Sequence, residues 1–427
     1  MQSLNSTLGS YMPAFFHMDL SFPFPSGALA HERLNQKHLS IFTHEYIHFI
    51  QDVSTYVGLN NAYVYSECIH GIANTIYQQP KGELKIPVKL PRNYGNIELN
   101  QQVNKVGIGT FEEQPNFFLK KIKIKKEKVL YDNSFVKNLT EIVLVPMKGQ
   151  KVVFGSRAIM ESMAYLMETM ITKGSVGADD YPYHAAEIVA NYYYPEFGKD
   201  KLRLIALCDA SMQFSEPGKI FVQSLQSFKK EGFLPSNAND VIDHFYLNPC
   251  VQMGEEKKIE IGLLTMGFMV GERLKQYMNH PLFKPFHNVV HNLIGFGMRE
   301  RLNNKYFMLD IVRNGDVLDN AFMRRFIRTI GTPIIIDSND DYWNIPPIGK
   351  TSNDYWLEYF PAIEELFKCL AEGQTICELY PWCEKSPMTK EDNRCIEEPW
   401  SRVNDEALCP YAMLWKHWKL EGYFPKE

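Results

Sequence analysis

The segment IFTHEYIHFIQD, residues 41–52, contains two histidines four residues apart, with a glutamate directly after the first. Residues four apart lie on the same face of an α-helix, so His44 and His48 could direct imidazole nitrogens at one point. Two converging imidazoles suit a zinc ion. Glu45 lies about 100° around the helix from His44, where its carboxylate could hold a metal-bound water but would be poorly aimed as a ligand. The pattern indicates metal-dependent hydrolysis with Glu45 as general base, and the alternative is a solvated helix that carries these residues by chance.

The residues around this motif predict a helix with one buried face. Apolar side chains recur every three or four positions, at Leu39, Phe42, Tyr46, Ile50 and Val53. A polar stripe on the other side includes both histidines and is formed by Ser40, His44, His48, Gln51 and Thr55. This pattern is typical of a helix that packs on one flank and faces a site on the other.

Glycine and capping residues suggest where this helix and the next one end. We expect the first helix to run from Leu34 to about Val57 and to stop at Gly58. Asn61 could cap a second helix that ends at about Gln79, just before a proline. The two elements together predict a helical hairpin.

Catalytic zinc usually takes three protein ligands, so a third side chain must come from another element. Glu67 lies on the polar face of the second predicted helix and is one candidate. Glu161 and Glu168 lie seven apart in SRAIMESMAYLMETMI, a helix that is apolar on nearly every side, so both would be buried carboxylates that need a metal, a cation or hydrogen bonds. We favour Glu161 as the ligand, with Glu168 orienting a ligand histidine. A salt bridge to Arg157 is the structural alternative for Glu161.

Two short segments carry a family resemblance. HEYIH resembles the active-site helix of the zincin metallopeptidases, and ESMAYLME is similar to the Glu-x-x-Ala helix of gluzincin-like members. The resemblance implies a zincin-like catalytic core, Zn²⁺ held by His44, His48 and Glu161, Glu45 as base, and a protein or peptide substrate. The sequence lacks the glycine and the third histidine that the metzincin branch has shortly after the motif, which favours the gluzincin branch.

Two other interpretations stay open at this stage. Glu45 with His48, and Glu67 with His70, are both Glu-x-x-His pairs, and carboxylate-bridged di-iron proteins use two such pairs. That interpretation leaves His44 without a role. The chain could also be a binding or signalling module whose zinc does not catalyse a reaction.

The rest of the sequence predicts an α+β fold that is predominantly helical. Alternating runs within residues 81–155 predict short antiparallel strands, the last two joined by a turn at Lys148-Gly149-Gln150. Helical periodicity returns at Ser156. We expect three units: a zincin-like catalytic core with its β-rich insertion at 1–173, a helical scaffold at 174–373 that completes the cleft, and a small Cys- and Trp-containing module at 374–427.

Composition is typical of a globular protein, with 427 residues of which 45% are hydrophobic. A formal net charge of −5 gives no overall attraction to nucleic acid or to anionic membranes. The longest apolar stretch, from Ile259 to Val270, contains Glu260, and the N-terminal residues do not form a secretion signal. With only eight cysteines, we expect a reduced cytoplasmic protein without membrane or nucleic-acid partners. No sequence feature identifies a regulatory partner.

Two weaker features lie in predicted helical segments. Tyr183 and His184 could stabilise a transition-state oxyanion, although aromatic clusters more often serve packing. His287 and His291 also have metal-ligand spacing, but two hydrogen-bonded helix imidazoles are the simpler account.

Two further features carry cysteines and lysines. A structural zinc could bind the four cysteines of the C-terminal module, Cys377, Cys383, Cys395 and Cys409, but their spacings lack the short separations usual in such sites, so free thiols are the simpler account. Lys121, Lys123 and Lys125 alternate with isoleucines, which is typical of a protected edge strand. Contact with an acidic peptide or nucleic acid is the alternative for these lysines.

Overall fold

A computed structural model describes residues 4–5, 9–14, 16–27, 30–91, 95–131, 135–172, 178–247, 250–252, 255–315, 320–350, 357–385 and 392–426. These residues form a predominantly helical α+β fold with small sheets, as the sequence predicts. The helices are α1 (Gln36–Ser54), α2 (Tyr56–Tyr77), α3 (Gly95–Ile108), α4 (Ser156–Thr172), α5 (Asp180–Tyr183), α6 (Ala185–Tyr193), α7 (Pro195–Gly198), α8 (Lys201–Ser211), α9 (Pro217–Glu231), α10 (Ala238–Leu247), α11 (Ile259–Tyr277), α12 (Lys284–Asn303), α13 (Phe307–Arg313), α14 (Ala321–Ile330), α15 (Tyr359–Phe367), α16 (Tyr380–Lys385), α17 (Arg394–Glu397) and α18 (Pro410–His417).

The strands are short apart from one long hairpin. They are β1 (Leu4–Asn5), β2 (Gly9–Met12), β3 (His17–Leu20), β4 (Gly82–Lys85), β5 (Leu119–Tyr131), β6 (Phe135–Pro146), β7 (Val152–Val153), β8 (Cys250–Gln252), β9 (Glu255–Lys257), β10 (Ile334–Ile336), β11 (Tyr342–Trp343) and β12 (Tyr423–Lys426). Four sheets result, with the strand orders β1-β2-β3-β10-β11, β12-β4, β5-β6-β7 and β8-β9.

The two predicted helices are present as α1 and α2, but the junction between them lies earlier than expected. Thr55 ends α1 and also caps α2, because its Oγ1 accepts a hydrogen bond of 3.1 Å from the Gly58 amide. Gly58 and Asn61 therefore lie inside α2, and the predictions that they stop α1 and cap α2 were wrong. The reason is steric: a Cβ on Gly58 would stand 2.3 Å from the Cα of Asp52, so glycine here allows α2 to begin against α1.

Helix α4 matches the predicted helix at residue 156 and packs along α1. Polar side chains join the two helices at both ends of this contact: Gln36 donates to the Thr172 carbonyl (3.1 Å), and Gln51 donates to the Met160 carbonyl (3.2 Å). Each bond runs from a side chain of α1 to a backbone carbonyl of α4. The face of α4 that carries Glu161 is thereby held against the histidine face of α1.

A buried arginine fixes the far end of α1. Arg301 of α12 donates to the Ser54 carbonyl (3.2 Å) and pairs with Asp209 of α8, where the Nη2 to Oδ1 distance is 2.8 Å. Only 1% of Arg301 and 1% of Asp209 is exposed, so each charge depends on the other for compensation. The pair connects three helices at the point where the α1 backbone leaves its helix.

The N-terminal residues form a sheet beside α1 that the sequence analysis did not identify. Strand β2 pairs antiparallel with β3, and β3 pairs parallel with β10, more than 300 residues later. β10 is a run of three isoleucines, of which Ile334 and Ile335 are buried, and it is too short for periodicity to distinguish it from other apolar runs.

The β-rich insertion at 81–155 is confirmed in part. β5, β6 and β7 form the expected antiparallel sheet, with the predicted turn before β7, and the exposed lysines 121, 123 and 125 lie on the edge strand β5. One expectation for this segment was wrong: β4 pairs parallel with β12 rather than antiparallel with a neighbour in sequence. The segment also contains helix α3, whose Ile97 packs on α2 at Gly71 and for which no element was predicted.

Buried side chains from all three predicted units belong to one hydrophobic cluster. The strand pair β4–β12 also joins the insertion to the last described residues of the chain. The proposed unit boundaries at residues 173 and 373 stay predictions. Over the described part of the chain, no helix is both long enough and apolar enough to cross a bilayer.

The junction of α1 and α2 can be tested with alanine at Gly58. The added Cβ would collide with backbone atoms of α1, so we expect Gly58→Ala to lower the free energy of unfolding by about 1–3 kcal/mol. Gly271→Ala is the matched control, because that glycine lies within α11 with nothing within 4 Å of its added Cβ, and it should be neutral or stabilising by about 0.5–1 kcal/mol. Denaturant unfolding of both variants measures this, and equal stability of the two would contradict the steric account.

Candidate metal centre

The structure brings His44, His48 and Glu161 together. The Nε2 atoms of the two histidines are 3.1 Å apart, and Glu161 Oε2 lies 3.1 Å from His44 Nε2 and 3.4 Å from His48 Nε2. No more than 5% of any of the three residues is exposed. Among the described residues, this is the one group of three or more potential ligands close enough together to hold a metal ion.

The spacing of these three atoms fits a tetrahedral ion. Two ligand atoms at about 2.0–2.1 Å from zinc, separated by a tetrahedral angle, are about 3.3 Å apart. The three observed separations, between 3.1 and 3.4 Å, fall around that value. One ion could therefore bind all three atoms without moving the helices, and its fourth position would be left for another ligand.

In each histidine, Nδ1 donates a hydrogen bond to a neighbouring side chain. The Nε2 atom of each ring is therefore the acceptor that faces the centre. Glu168 Oε2 lies 3.1 Å from His44 Nδ1, so this nitrogen is the donor. Gln51 uses its amide nitrogen on the Met160 carbonyl, which leaves its oxygen 2.8 Å from His48 Nδ1, again a donor. Both Nε2 atoms then present lone pairs to a carboxylate oxygen, and three acceptors this close require a cation or a proton between them.

Glu168 is itself held in place, as the sequence analysis expects of a residue that orients a ligand. Its Oε1 accepts a short hydrogen bond from Ser40, and Ser40 lies on the same face of α1 as His44, one helical turn before it. Carboxylate–histidine pairs of this kind fix the tautomer and raise the basicity of a metal-binding imidazole.

Burial and the charges of Glu161 and Glu168 determine the direction of the pKa shifts in this group. Burial lowers the pKa of His44, but its hydrogen bonds to the carboxylates of Glu161 and Glu168 outweigh burial and raise the pKa well above its usual range. Burial dominates at His48 and lowers its pKa. The pKa of Glu161 is lowered despite burial, because His48 and His44 both stabilise its charged form. Without a metal, the two glutamates therefore favour the protonated form of His44.

Glu45 lies beside this group with a carboxylate that makes no hydrogen bond. Only 1% of the residue is exposed, and neither of its oxygens has a partner among the described residues. Burial raises the pKa of Glu45 well above its usual range, an effect that the charge of His44 opposes. Gly9 of β2 makes room for it, since a Cβ there would stand 2.9 Å from Glu45 Oε1. A buried carboxylate without a hydrogen bond favours its protonated form.

Strand β2, which lies near the start of the chain, covers the metal-binding group. Gly9 lies over Glu45, and the ring of Tyr11 stacks on the ring of His48 with their centroids 6.2 Å apart. Neither residue could be predicted from the sequence, because nothing in the first residues of the chain resembles an active-site motif. A strand that pairs with distant segments has no local signal that places it on α1.

The expected salt bridge of Glu161 is present alongside the metal-binding geometry. Arg157 Nη2 lies 3.9 Å from Glu161 Oε1, the oxygen that faces away from the histidines, and 3.8 Å from Glu113. The two interpretations of Glu161 are therefore compatible, since each uses a different oxygen. The guanidinium also donates to the Phe111 carbonyl.

Of the two residues suggested for an oxyanion, Tyr183 lies nearer the centre. Its ring centroid is 5.9 Å from that of His44, and its hydroxyl donates to Glu113 over 3.3 Å. His184 instead contacts Tyr165 and pairs with Glu187 at 3.5 Å. The structure thus brings Tyr183, and not His184, into contact with a histidine of the group.

The competing third ligand, Glu67, lies in a different environment. It pairs with Arg273 at 2.9 Å and accepts hydrogen bonds from Tyr63 (2.7 Å) and Asn100 (2.9 Å). These contacts compensate its charge fully. Glu67 does not join the metal-binding group, and neither does His70, so the described residues do not assemble the di-iron site.

The other candidate metal sites are not assembled either. His287 and His291 do not take part in the group of potential ligands found among the described residues. Cys377, Cys383, Cys395 and Cys409 are buried, form no disulfide and line one small cavity, but they are not among the potential metal-binding groups found in the described residues. Arg402 donates to Cys395 Sγ over 3.0 Å. Whether these cysteines bind a structural zinc stays a prediction to be tested.

The protonated His44 predicts that metal binding releases a proton. Zinc would have to displace the proton that Glu161 and Glu168 hold on His44, so we expect close to one proton released per ion near pH 7 and weaker binding as the pH falls. Glu168→Gln should reduce this release and weaken zinc binding about 10–100-fold. Calorimetric titration in buffers of different ionisation enthalpy measures both quantities, and zinc binding with no pH dependence would contradict the assignment.

Comparison of the chain with protein-family models, curated proteins and solved structures gives no significant match. Any function of this chain therefore rests on the chemistry of the site itself.

Proposed function

We propose that this protein is a zinc-dependent metallopeptidase. The observation that carries the proposal is the buried group of His44, His48 and Glu161 beside the unpartnered carboxylate of Glu45. Two imidazoles and one carboxylate are the ligand set of several catalytic zinc sites, in which the fourth position stays open. The peptide substrate and the zincin-like core come from the resemblance of the two helices, so they belong to the proposal.

Zinc bound to this group would lower the pKa of a bound water to about 7 and polarise the carbonyl of a substrate. Glu45 would take a proton from the attacking water and later pass it to the departing amine. Its raised pKa suits both steps, because a carboxylate that titrates nearer neutrality can accept a proton and release it again.

The neighbouring side chains would keep the ligands in position. Glu168 and Gln51 hold the two imidazoles by their Nδ1 atoms, which leaves both Nε2 atoms available to one ion. Arg157 contacts the second oxygen of Glu161 and would favour binding through one oxygen only. Because β2 covers the site, we expect a substrate to enter only when this strand moves.

Substitution of Glu45 separates metal binding from catalysis. Glu45→Gln should keep one zinc per chain and reduce peptide hydrolysis by about 10²–10⁴-fold, because the general base is lost. His44→Ala should lose the metal. Glu67→Gln is the matched control and should keep both zinc and activity, since its contacts lie elsewhere. Elemental analysis and cleavage of a quenched fluorescent peptide library measure these quantities.

The outcomes distinguish the alternatives. Full zinc and full activity in both Glu45→Gln and His44→Ala would refute the proposal. Stoichiometric zinc in the wild-type protein, without cleavage of any peptide even when β2 is shortened, would favour a non-catalytic binding or signalling module.

Metal identity provides a separate test. We expect a single colourless zinc ion per chain and unchanged metal content in His70→Ala. Two iron ions with visible absorption, lost in His70→Ala, would instead support the di-iron interpretation.

A further inference from the structure

An apolar cavity lies beyond the metal centre, between α1, α2, α11, α12 and α15. Its walls are mostly aliphatic and aromatic, and they include Leu59, Ile69, Leu293 and Phe360. The enclosed space is about 710 Å³ with its mouth included, but only about 40 Å³ is far enough from every wall to seat the centre of a water molecule. The cavity is therefore a narrow crevice that suits a slender apolar chain.

One carboxylate interrupts this apolar lining. Asp52 of α1 lines the cavity and is only 2% exposed. Its Oδ2 accepts hydrogen bonds from the Ala14 amide (2.9 Å) and the Tyr11 hydroxyl (3.2 Å). Its Oδ1 has no hydrogen-bond partner among the described residues. Within the same residues, no lysine, arginine or histidine forms an ion pair with Asp52.

A buried carboxylate oxygen without a donor is costly, and a ligand that supplies the donor would recover that cost. A cationic donor would recover the largest part of this free-energy cost, since hydrogen bonds between ionised groups are shorter and stronger than those between neutral groups. The apolar walls would bind a hydrocarbon chain through burial of its surface. A ligand that has both a hydrocarbon chain and a cationic donor would fill the apolar crevice with the chain and pair with the carboxylate of Asp52 through the donor.

We propose that this crevice binds a linear alkylammonium, with the hydrocarbon chain between α2 and α12 and the ammonium group on Asp52 Oδ1. This site is distinct from the metal centre, because His44, His48 and Glu161 are not among the residues that line it. The proposal does not depend on the proposed peptidase activity and applies to the protein with or without a metal. The lone carboxylate disfavours an alkyl carboxylate of the same length.

The protein can be titrated with n-octylammonium and n-octanoate below their micelle concentrations, and with n-octanol below its solubility limit. We expect octylammonium to bind at least tenfold more tightly than octanol, and octanoate to bind weakest. Trp418 lines the crevice, so its fluorescence should report binding, and Trp418→Phe should remove that signal without abolishing the heat of binding. Equal affinity for all three probes, tighter binding of octanoate, or no binding of octylammonium would overturn the proposal.

Asp52→Asn tests the carboxylate itself. The amide keeps an oxygen for Ala14 and Tyr11, and we expect it to reduce octylammonium affinity at least tenfold while octanol binding changes little. Glu358→Gln is the matched control, because burial raises the pKa of Glu358 to about 7, as it does for Asp52, and Glu358 does not line the crevice. Ala62→Phe should block all three probes by filling the crevice from α2. Thermal melting checks that each variant is folded, and unchanged octylammonium affinity in folded Asp52→Asn would refute the role of the carboxylate.

Discussion

The convergence of three lone-pair acceptors between α1 and α4 is the constraint on which the rest of the site depends. The two Nε2 atoms and the Glu161 oxygen lie 3.1–3.4 Å apart in a region closed to solvent, so their mutual repulsion must be compensated there. A proton can do this for one pair, and a divalent ion can do it for all three. The surrounding hydrogen bonds fix the rings in the orientation that presents these lone pairs, which is how a metal site is preorganised.

The packing of the surrounding helices keeps α1 in place against α4. α1 is held along its length by α4, at its end by Arg301 of α12, and at its junction by the close approach that Gly58 permits. These contacts are either hydrogen bonds to backbone carbonyls or positions without room for a methyl group, and neither tolerates small displacements. Rigidity of α1 matters because His48 and Asp52 lie one turn apart on it, and His48 belongs to the metal-binding group whereas Asp52 lines the apolar crevice.

The sequence predicts the site better than it predicts the surroundings of the site. Histidines four apart on an amphipathic helix, and two glutamates in a helix that should be buried, are local patterns with direct physical meaning, and the structure brings these residues together. Glu161 and Glu67 could not be separated on spacing alone, because the choice depends on Arg273 and Asn100, which lie far from Glu67 in sequence. The junction of α1 and α2 was predicted too late in the sequence. A glycine such as Gly58 can mark either the end of a helix or a position where two backbones approach closely, and the sequence alone does not distinguish the two. The strands β2, β3 and β10 escaped prediction because their pairing is long-range and each is short.

The position of β2 over the metal-binding group affects how a metal ion would bind and dissociate. It lies over Glu45 and His48, and it is held by β3, which in turn depends on β10 from the distant part of the chain. Such non-local pairing forms late in folding, after the local helices exist. An ion would then load most easily into the incompletely folded chain and become kinetically trapped once the strand docks. Its exchange with a chelator would follow the rate at which the strand detaches, and affinity alone would not describe it.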